Sequence, residues 1–424
     1  MKEGATDATE TPSATAGARG GGIGTFSSLR YRNYRLLWIG ILFMSAGQWV
    51  QQVTLGWLVY DLTRSGSLLG ALNGLRSLPF LLGGPLAGVM VDRIDRRRLL
   101  MWTQLLLFIT TLTVGLMVYL RVPGIWYLFV FTLISGIAWS INQPLRQALI
   151  SLVVPKSELM NAVALSSAGF NIMKIVGPAL AGLLILWFGA AGNFLVQATA
   201  YAIVFMSIFA MQIPASEARS PRGSAWSDLV EGLRFVVRTP IVLALMISSV
   251  VLSVFGVPYV ALMPVFQVEV LGVGPEALGL MTAAPGVGAV ISTLTLASIA
   301  NRVARKGVLL LGSLLLLGCG LVVYAQMTLL VPALAALVVV GGAQILCLSV
   351  TLTMIQVSVP DALRGRVMSI AMMDRGLTPL GTLLAGLLVD SIGAPATVTL
   401  MGGLVIGLTV VTAVCVPPLR RFTH

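Results

Sequence analysis

The chain alternates long apolar runs with short polar interruptions, and few charged positions fall inside a run. A helix that crosses a bilayer needs about 20 mostly apolar residues. Runs of that kind occupy 34–60, 67–91, 99–120, 124–146, 161–187 and 193–212, and they resume at 240–266, 276–299, 308–327, 330–352, 367–389 and 395–416. The pattern predicts an all-α membrane protein of twelve crossings. The widest polar gap, 213–239, contains WSDLVEGLRFVVR. There Trp226, Leu229, Leu233 and Val236 recur at helical spacing, while Asp228, Glu231, Arg234 and Arg238 take the other faces, as in a helix lying at a membrane surface. Residues 1–25, rich in Gly, Ala and Thr, read as a disordered tail without a cleavable leader. The expected division is therefore a tail (1–25), a six-helix bundle (26–212), a linker with an amphipathic helix (213–239) and a second six-helix bundle (240–424).

Composition excludes a water-soluble fold. Of 424 residues 57% are hydrophobic and 10% charged, against about 45–50% and about 25% in soluble domains. Mean hydropathy is +0.95. A net charge of +12 would suit a nucleic-acid binder, but its distribution points elsewhere. Of the 27 basic residues, 22 fall in segments on the same side as the N-terminus and only Arg64 and Arg121 on the other. This is the bias that orients membrane helices, and it predicts a multi-pass cell-membrane protein with both termini in the cytoplasm. Cys319, Cys347 and Cys415 all sit within apolar runs, and the only histidine is His424. Neither a disulfide framework, a metal site nor a cofactor is expected.

One interruption is unusually dense. GVMVDRIDRRR (88–98) places six charges in the seven positions 92–98. It has an echo 209 residues later in ASIANRVARKG (297–307), where Asn301, Arg302, Arg305 and Lys306 match Asp92, Arg93, Arg96 and Arg97. Each segment joins the second and third runs of its half. Two related six-helix halves suggest a transporter with its binding site between them.

These residues carry a family resemblance. Gly88, Asp92, Arg93, Arg96 and Arg97 resemble the signature loop between helices 2 and 3 of the major facilitator superfamily. KIVGPALAG (174–182) is similar to the helix-5 motif of its antiporters, through Gly177, Pro178 and Gly182. Together with YDLTRSGS, these stretches look most like the branch of macrolide-efflux and enterobactin-exporter proteins. The resemblance implies two pseudo-symmetric bundles working by alternating access. It also implies a cytoplasmic gate in which Asp92 meets the start of the span near Arg366, because a helix N-terminus attracts a carboxylate. Asp95 departs from the family pattern, which has glycine there.

Charges inside a bilayer are expensive and are functional candidates by default. Arg76, Lys174, Asp374 and Arg375 are the four here. Asp374 is the candidate proton carrier, or else the partner of an arginine, with Arg76 across the helix 2–11 seam the one considered. Three cations against one acid weigh toward a neutral or anionic cargo. Candidate cavity residues are Gln48, Gln51, Gln52, Asn142, Gln143, Asn171 and Gln344, although most polar residues within spans simply bond neighbouring helices. The sequence thus predicts a monomeric secondary transporter that exports a small organic molecule, with protons as exchange ion and lipids as surroundings. An uptake carrier or lipid flippase on the same fold is the alternative. A membrane enzyme is the remote one, since no catalytic cluster or Gly-Lys-Ser/Thr phosphate loop is present.

Overall fold

A computed structural model describes residues 24–93, 95–212, 225–299, 305–420 and 422. The first 23 residues of the expected tail and part of the echo segment (300–304) lie outside the described residues. The first half comprises α1 (Arg32–Thr63), α2 (Gly66–Arg93), α3 (Arg96–Tyr119), α4 (Trp126–Val153) and α5 (Leu159–Phe209). The linker carries α6 (Ala225–Arg238). The second half holds α7 (Pro240–Val251), α8 (Tyr259–Val265), α9 (Pro275–Ile299), α10 (Lys306–Ala325), α11 (Leu330–Ser358), α12 (Asp361–Met373), α13 (Thr378–Ile392) and α14 (Ala394–Cys415).

Thirteen of these helices, all but α6, make the twelve passes: α5 crosses twice, and two passes are each built from two helices. The 51-residue α5 leaves helical geometry at Gly189, where φ is 67°. A β-carbon is unfavourable in that conformation, so glycine permits the reversal. Both ends of α5 consequently return to the start of α1: Tyr34 donates to the Ala162 carbonyl at 2.7 Å, and Asn33 donates to that of Gln212 at 2.6 Å. In the second half, α7 and α8 form one pass with the wider π-type turns Leu252–Gly256 and Phe266–Val270. Proline at 258 and 264 removes backbone donors along this pass. Likewise α12 and α13 are joined by a single tighter turn, Asp374–Leu377. The linker helix α6 forms where the hydrophobic periodicity predicts it.

The surfaces left by this arrangement are apolar where lipid would touch them: Trp102, Trp126, Leu186 and Trp187 are all well exposed. No membrane-spanning helix can bury its side chains from water this way unless its surroundings are hydrocarbon.

For orientation, the face bearing the start of α1 and the linker is called basal, the opposite face distal. On the distal side the halves meet along two seams, α2 on α13 and α5 on α9. Both seams are lined by glycine. A β-carbon placed on Gly70 would lie 2.6 Å from the Thr382 carbonyl oxygen, and one on Gly182 would lie 2.8 Å from that of Pro275. The GxxxG-like spacing Gly66-Gly70-Gly74 therefore serves backbone approach between the halves. On the basal side the same helices leave Ile172, Val290 and Leu294 exposed.

Gly70→Val should thus penalise the distally closed form by about 1–3 kcal/mol, about a ten- to hundredfold change in the conformer ratio. Spin labels at Thr63 and Ile392 will read this as a population with a longer distance. An unchanged distance distribution would show that the seam tolerates the extra volume.

Candidate functional site

Between the halves lies a cavity of about 230 Å³. α1 contributes Trp49 and Gln52, α2 Asn73, Arg76 and Ser77, and α5 Lys174; from the second half come Tyr259, Val260, Thr282, Gln344 and Thr382. A second cavity of about 560 Å³ shares Lys174 and extends between α5, α9 and α11, past Asn171, Thr293 and Ser349, toward the basal ends. The close α5–α9 and α2–α13 seams seal the distal end. The site is thus closed above, and the second cavity adjoins it below at Lys174.

The lining is rich in donors. Arg76 Nη2 donates to Gln52 Oε1 at 3.0 Å, which fixes one edge of the guanidinium. Among the described residues no carboxylate lies within ion-pair distance of Arg76 or Lys174. Trp49 Nε1 and the Tyr259 hydroxyl are buried without a hydrogen-bond partner among those residues. Burying an unpaired donor costs about 1–3 kcal/mol, and both atoms are closed off from the cavity space.

The candidate residues separate into those the fold brings to the cavity and those it spends elsewhere. Gln52, Arg76, Lys174 and Gln344 line the central cavity, and Asn171 lines its basal extension. Gln51, by contrast, is 3% exposed and belongs to the interior of the first bundle. It donates to Ser135 Oγ at 2.8 Å and accepts from Gln197 at 3.0 Å. Asn142 accepts from Thr103 at 2.6 Å, also inside that bundle, and Gln143 accepts from Arg146 at 3.0 Å. Gln48 Oε1 is buried without a partner but is not part of the cavity wall. Three glutamines sharing a helix segment therefore have separate fates, because adjacent positions point about 100° apart.

At the basal face, α2 runs through Gly88, Asp92 and Arg93, whose surroundings lie outside the described residues. Arg97 donates to the carbonyls of Ile208 and Phe209, at 3.1 and 2.6 Å, closing the C-terminal end of α5. Arg366 bonds Glu231 of the linker helix at 2.7 Å. Arg96 opens α3, and Asp95, the departure from the family pattern, caps it by accepting from the Arg98 amide at 2.8 Å. The side chains of Asp374 and Arg375 lie outside the described residues; their backbone forms the turn between α12 and α13, beside α2. Gly177 and Gly182 both lie on α5, with Gly182 in the distal seam and Gly177 against Trp49. Pro178 sits within α5, and its carbonyl faces Gly279.

Two distal contacts escaped the sequence. Asp390, just past the apolar run of α13, accepts from the amides of Gly66 and Ser67 at 2.6 and 2.9 Å and from Ser65 Oγ at 3.2 Å. It caps α2 from the other half of the molecule. Burial alone would raise its pKa, but the hydrogen bonds from Ser67, Gly66 and Ser65 together outweigh this and hold the carboxyl below its ordinary value. Beside it, the Tyr60 hydroxyl donates to Glu269 of the second half. An Asp so close to a helix end usually caps its own chain neighbourhood, so nothing local in the sequence marks its partner.

Comparison with known proteins places the chain. Residues 23–423 match the family described as transmembrane secretion effector. The staphyloferrin A transporter of Staphylococcus aureus is 28% identical over 86% of this chain and 91% of its own length. The multidrug efflux pump Tap of Mycolicibacterium fortuitum is 28% identical over 91% and 96%. A crystal structure of a POT family transporter, 12% identical, superposes with a TM-score of 0.72 over 92% of this chain and 96% of its own, a likeness of fold.

Asp390→Asn removes the charge at the α2 terminus while keeping the shape. Since the closed form holds the lower pKa, its extra stability is present above the ordinary carboxylate range. It is lost as pH falls through the depressed value. The variant should weaken closure by about 0.5–1 kcal/mol at neutral pH, a modest figure because the carboxylate is solvent-exposed. The difference from wild type should vanish in acid. Label distances across the distal face, followed from neutral pH downward, check both statements.

Proposed function

Because the chain belongs to the transmembrane secretion effector family of the major facilitator superfamily, we propose that it exports a small organic molecule from the cytoplasm by alternating access in exchange for protons. The observation that carries this reading is the central cavity, sealed distally by two glycine seams and adjoined at Lys174 by a second cavity that extends toward the basal ends. The basic residues concentrate on the basal side, which supports assigning that face, and both termini, to the cytoplasm. The geometry then corresponds to a carrier ready to load from inside.

Loading and release require the seams to exchange. The distal contacts must part: Asp390 from the α2 terminus, Tyr60 from Glu269, and the glycine faces from one another. The basal ends of α5 and α9 must then meet. Asp92 closing on the span near Arg366 is the matching basal contact in this proposal. Arg366 already shares its charge with Glu231, so the linker helix would take part in that gate. Asp374, beside α2, is the carboxylate proposed to carry the proton. The names of the relatives, a siderophore transporter and a multidrug pump, support an organic cargo moving outward. One chain encloses the whole cavity, which supports a monomer as the working unit.

Everted vesicles with an acid lumen test the coupling. One-for-one exchange should concentrate cargo inside by about tenfold per pH unit, and dissipating the gradient should abolish it. Uptake that survives dissipation would replace proton exchange with facilitated movement. In the same assay Asp92→Asn should slow turnover about two- to tenfold with membrane insertion unchanged; unaltered turnover would reject the basal gate.

A further inference from the structure

We propose that the cargo is an anion, held through its carboxylates or equivalent oxyanions by Arg76 and Lys174. The inference rests on the transport reading above and deepens it by naming the cargo's charge. The first ground is the donor inventory. Guanidinium, ammonium and indole N–H groups have donors and no acceptor. Two residues with such groups, Arg76 and Lys174, line one cavity of about 230 Å³. Arg76 uses one nitrogen on Gln52, at 3.0 Å, and its other donors remain for a ligand. Lys174 lies where the central cavity meets its basal extension, so an entering molecule passes it first.

The second ground is the lack of a counter-charge: among the described residues no carboxylate lies within ion-pair distance of either cation. An oxyanion supplies several acceptors at once and neutralises cations that the low-dielectric surroundings otherwise leave costly. A cationic molecule would meet like charge from the first-half wall. Asp374 is the acid nearest in sequence to the cavity residues of α13, Thr378 and Thr382. If it neutralised Arg76 internally, the cavity would lose its anion preference, and the experiment includes that case.

The test uses the purified full-length chain in nanodiscs with two probes of one shape: benzene-1,3,5-tricarboxylate and 1,3,5-tris(aminomethyl)benzene. Binding is read by thermal stabilisation over a concentration series. The tricarboxylate should stabilise the wild type and Asp374→Asn, and the triamine neither. Arg76→Gln and Lys174→Gln should each weaken tricarboxylate binding by about tenfold or more. Arg76→Lys and Lys174→Arg should restore most of it, which a merely structural role for these residues would not do. Preference for the triamine, no response to either probe, or equal tricarboxylate binding in the Arg76→Gln/Lys174→Gln double variant would overturn the proposal. The assay is indifferent to direction and coupling. Anion binding without outward transport would therefore overturn the export reading and leave this one standing, and export confined to cations would do the reverse.

Discussion

Everything in this molecule depends on how closely two helix pairs can approach across the midline. In hydrocarbon there is no hydrophobic gain from bringing apolar helices together, so association relies on close packing and on polar contacts. The α2–α13 and α5–α9 seams meet this demand by presenting glycine to backbone: Gly70 against Thr382 and Gly182 against Pro275. Such contacts are strong only at full contact and fade within an ångström or so. They favour two end states, seam closed or seam apart, over a continuum. That bistability is what a carrier needs. The carboxylate of Asp390 on the α2 terminus and the Tyr60–Glu269 bond then add polar contacts that exist only when the distal seam is closed.

The sealed seam also determines the electrostatics of the cavity. Excluding water from the distal side leaves Arg76 and Lys174 in a poorly screened space, where each charge acts over a longer range than it would in solution. Their positions on different helices of the first half, α2 and α5, keep the two cations on one wall. The opposite wall answers with neutral groups, Tyr259, Thr282, Gln344 and Thr382. A rocking motion of one half against the other therefore changes the neutral contacts of a bound molecule more than its ionic ones. The charges would hold the cargo while the neutral wall moves past it.

Much of this was legible in the sequence because the bilayer imposes a simple code. Apolar runs of sufficient length marked the passes, the reversal near 187–193 falls at Gly189, and the basic bias separated the two faces. The amphipathic spacing from Trp226 to Val236 located α6. Charged residues within runs pointed to the cavity, and Arg76 and Lys174 line it. Uncharged polar residues were another matter. Gln51 and Gln52 are neighbours of identical type, yet one is bonded inside the bundle and the other faces the cavity. Only the rotation of α1 against its neighbours decides between them, and that rotation is a property of packing. Trp49 and Tyr259 were invisible as site residues because an aromatic in an apolar run reads first as core. Asp390 was missed because its partners lie more than 300 residues away.

The two halves share a topology but hold together by different means, and this asymmetry follows from the side chains each buries. The interior of the first half is threaded by hydrogen bonds of side-chain amides: Gln197 to Gln51, Asn193 to Thr54, Thr103 to Asn142. Each such bond has a directional geometry, and inside a low-dielectric bundle its loss would strand a polar group. The second half is cemented instead by an extended aliphatic cluster running through Leu245, Leu262, Leu314, Leu337 and Val398. Apolar packing of this kind accommodates shear more readily than a hydrogen-bond network does. The same half contains the irregular passes: two π-type turns around α8 and a tight turn between α12 and α13. Wider turns of this sort recur at functional sites because they leave a helix locally adjustable. A rigid first half bearing the fixed charges, and a deformable second half bearing the neutral wall and the distal carboxylates, together divide the labour of holding a molecule and letting it go.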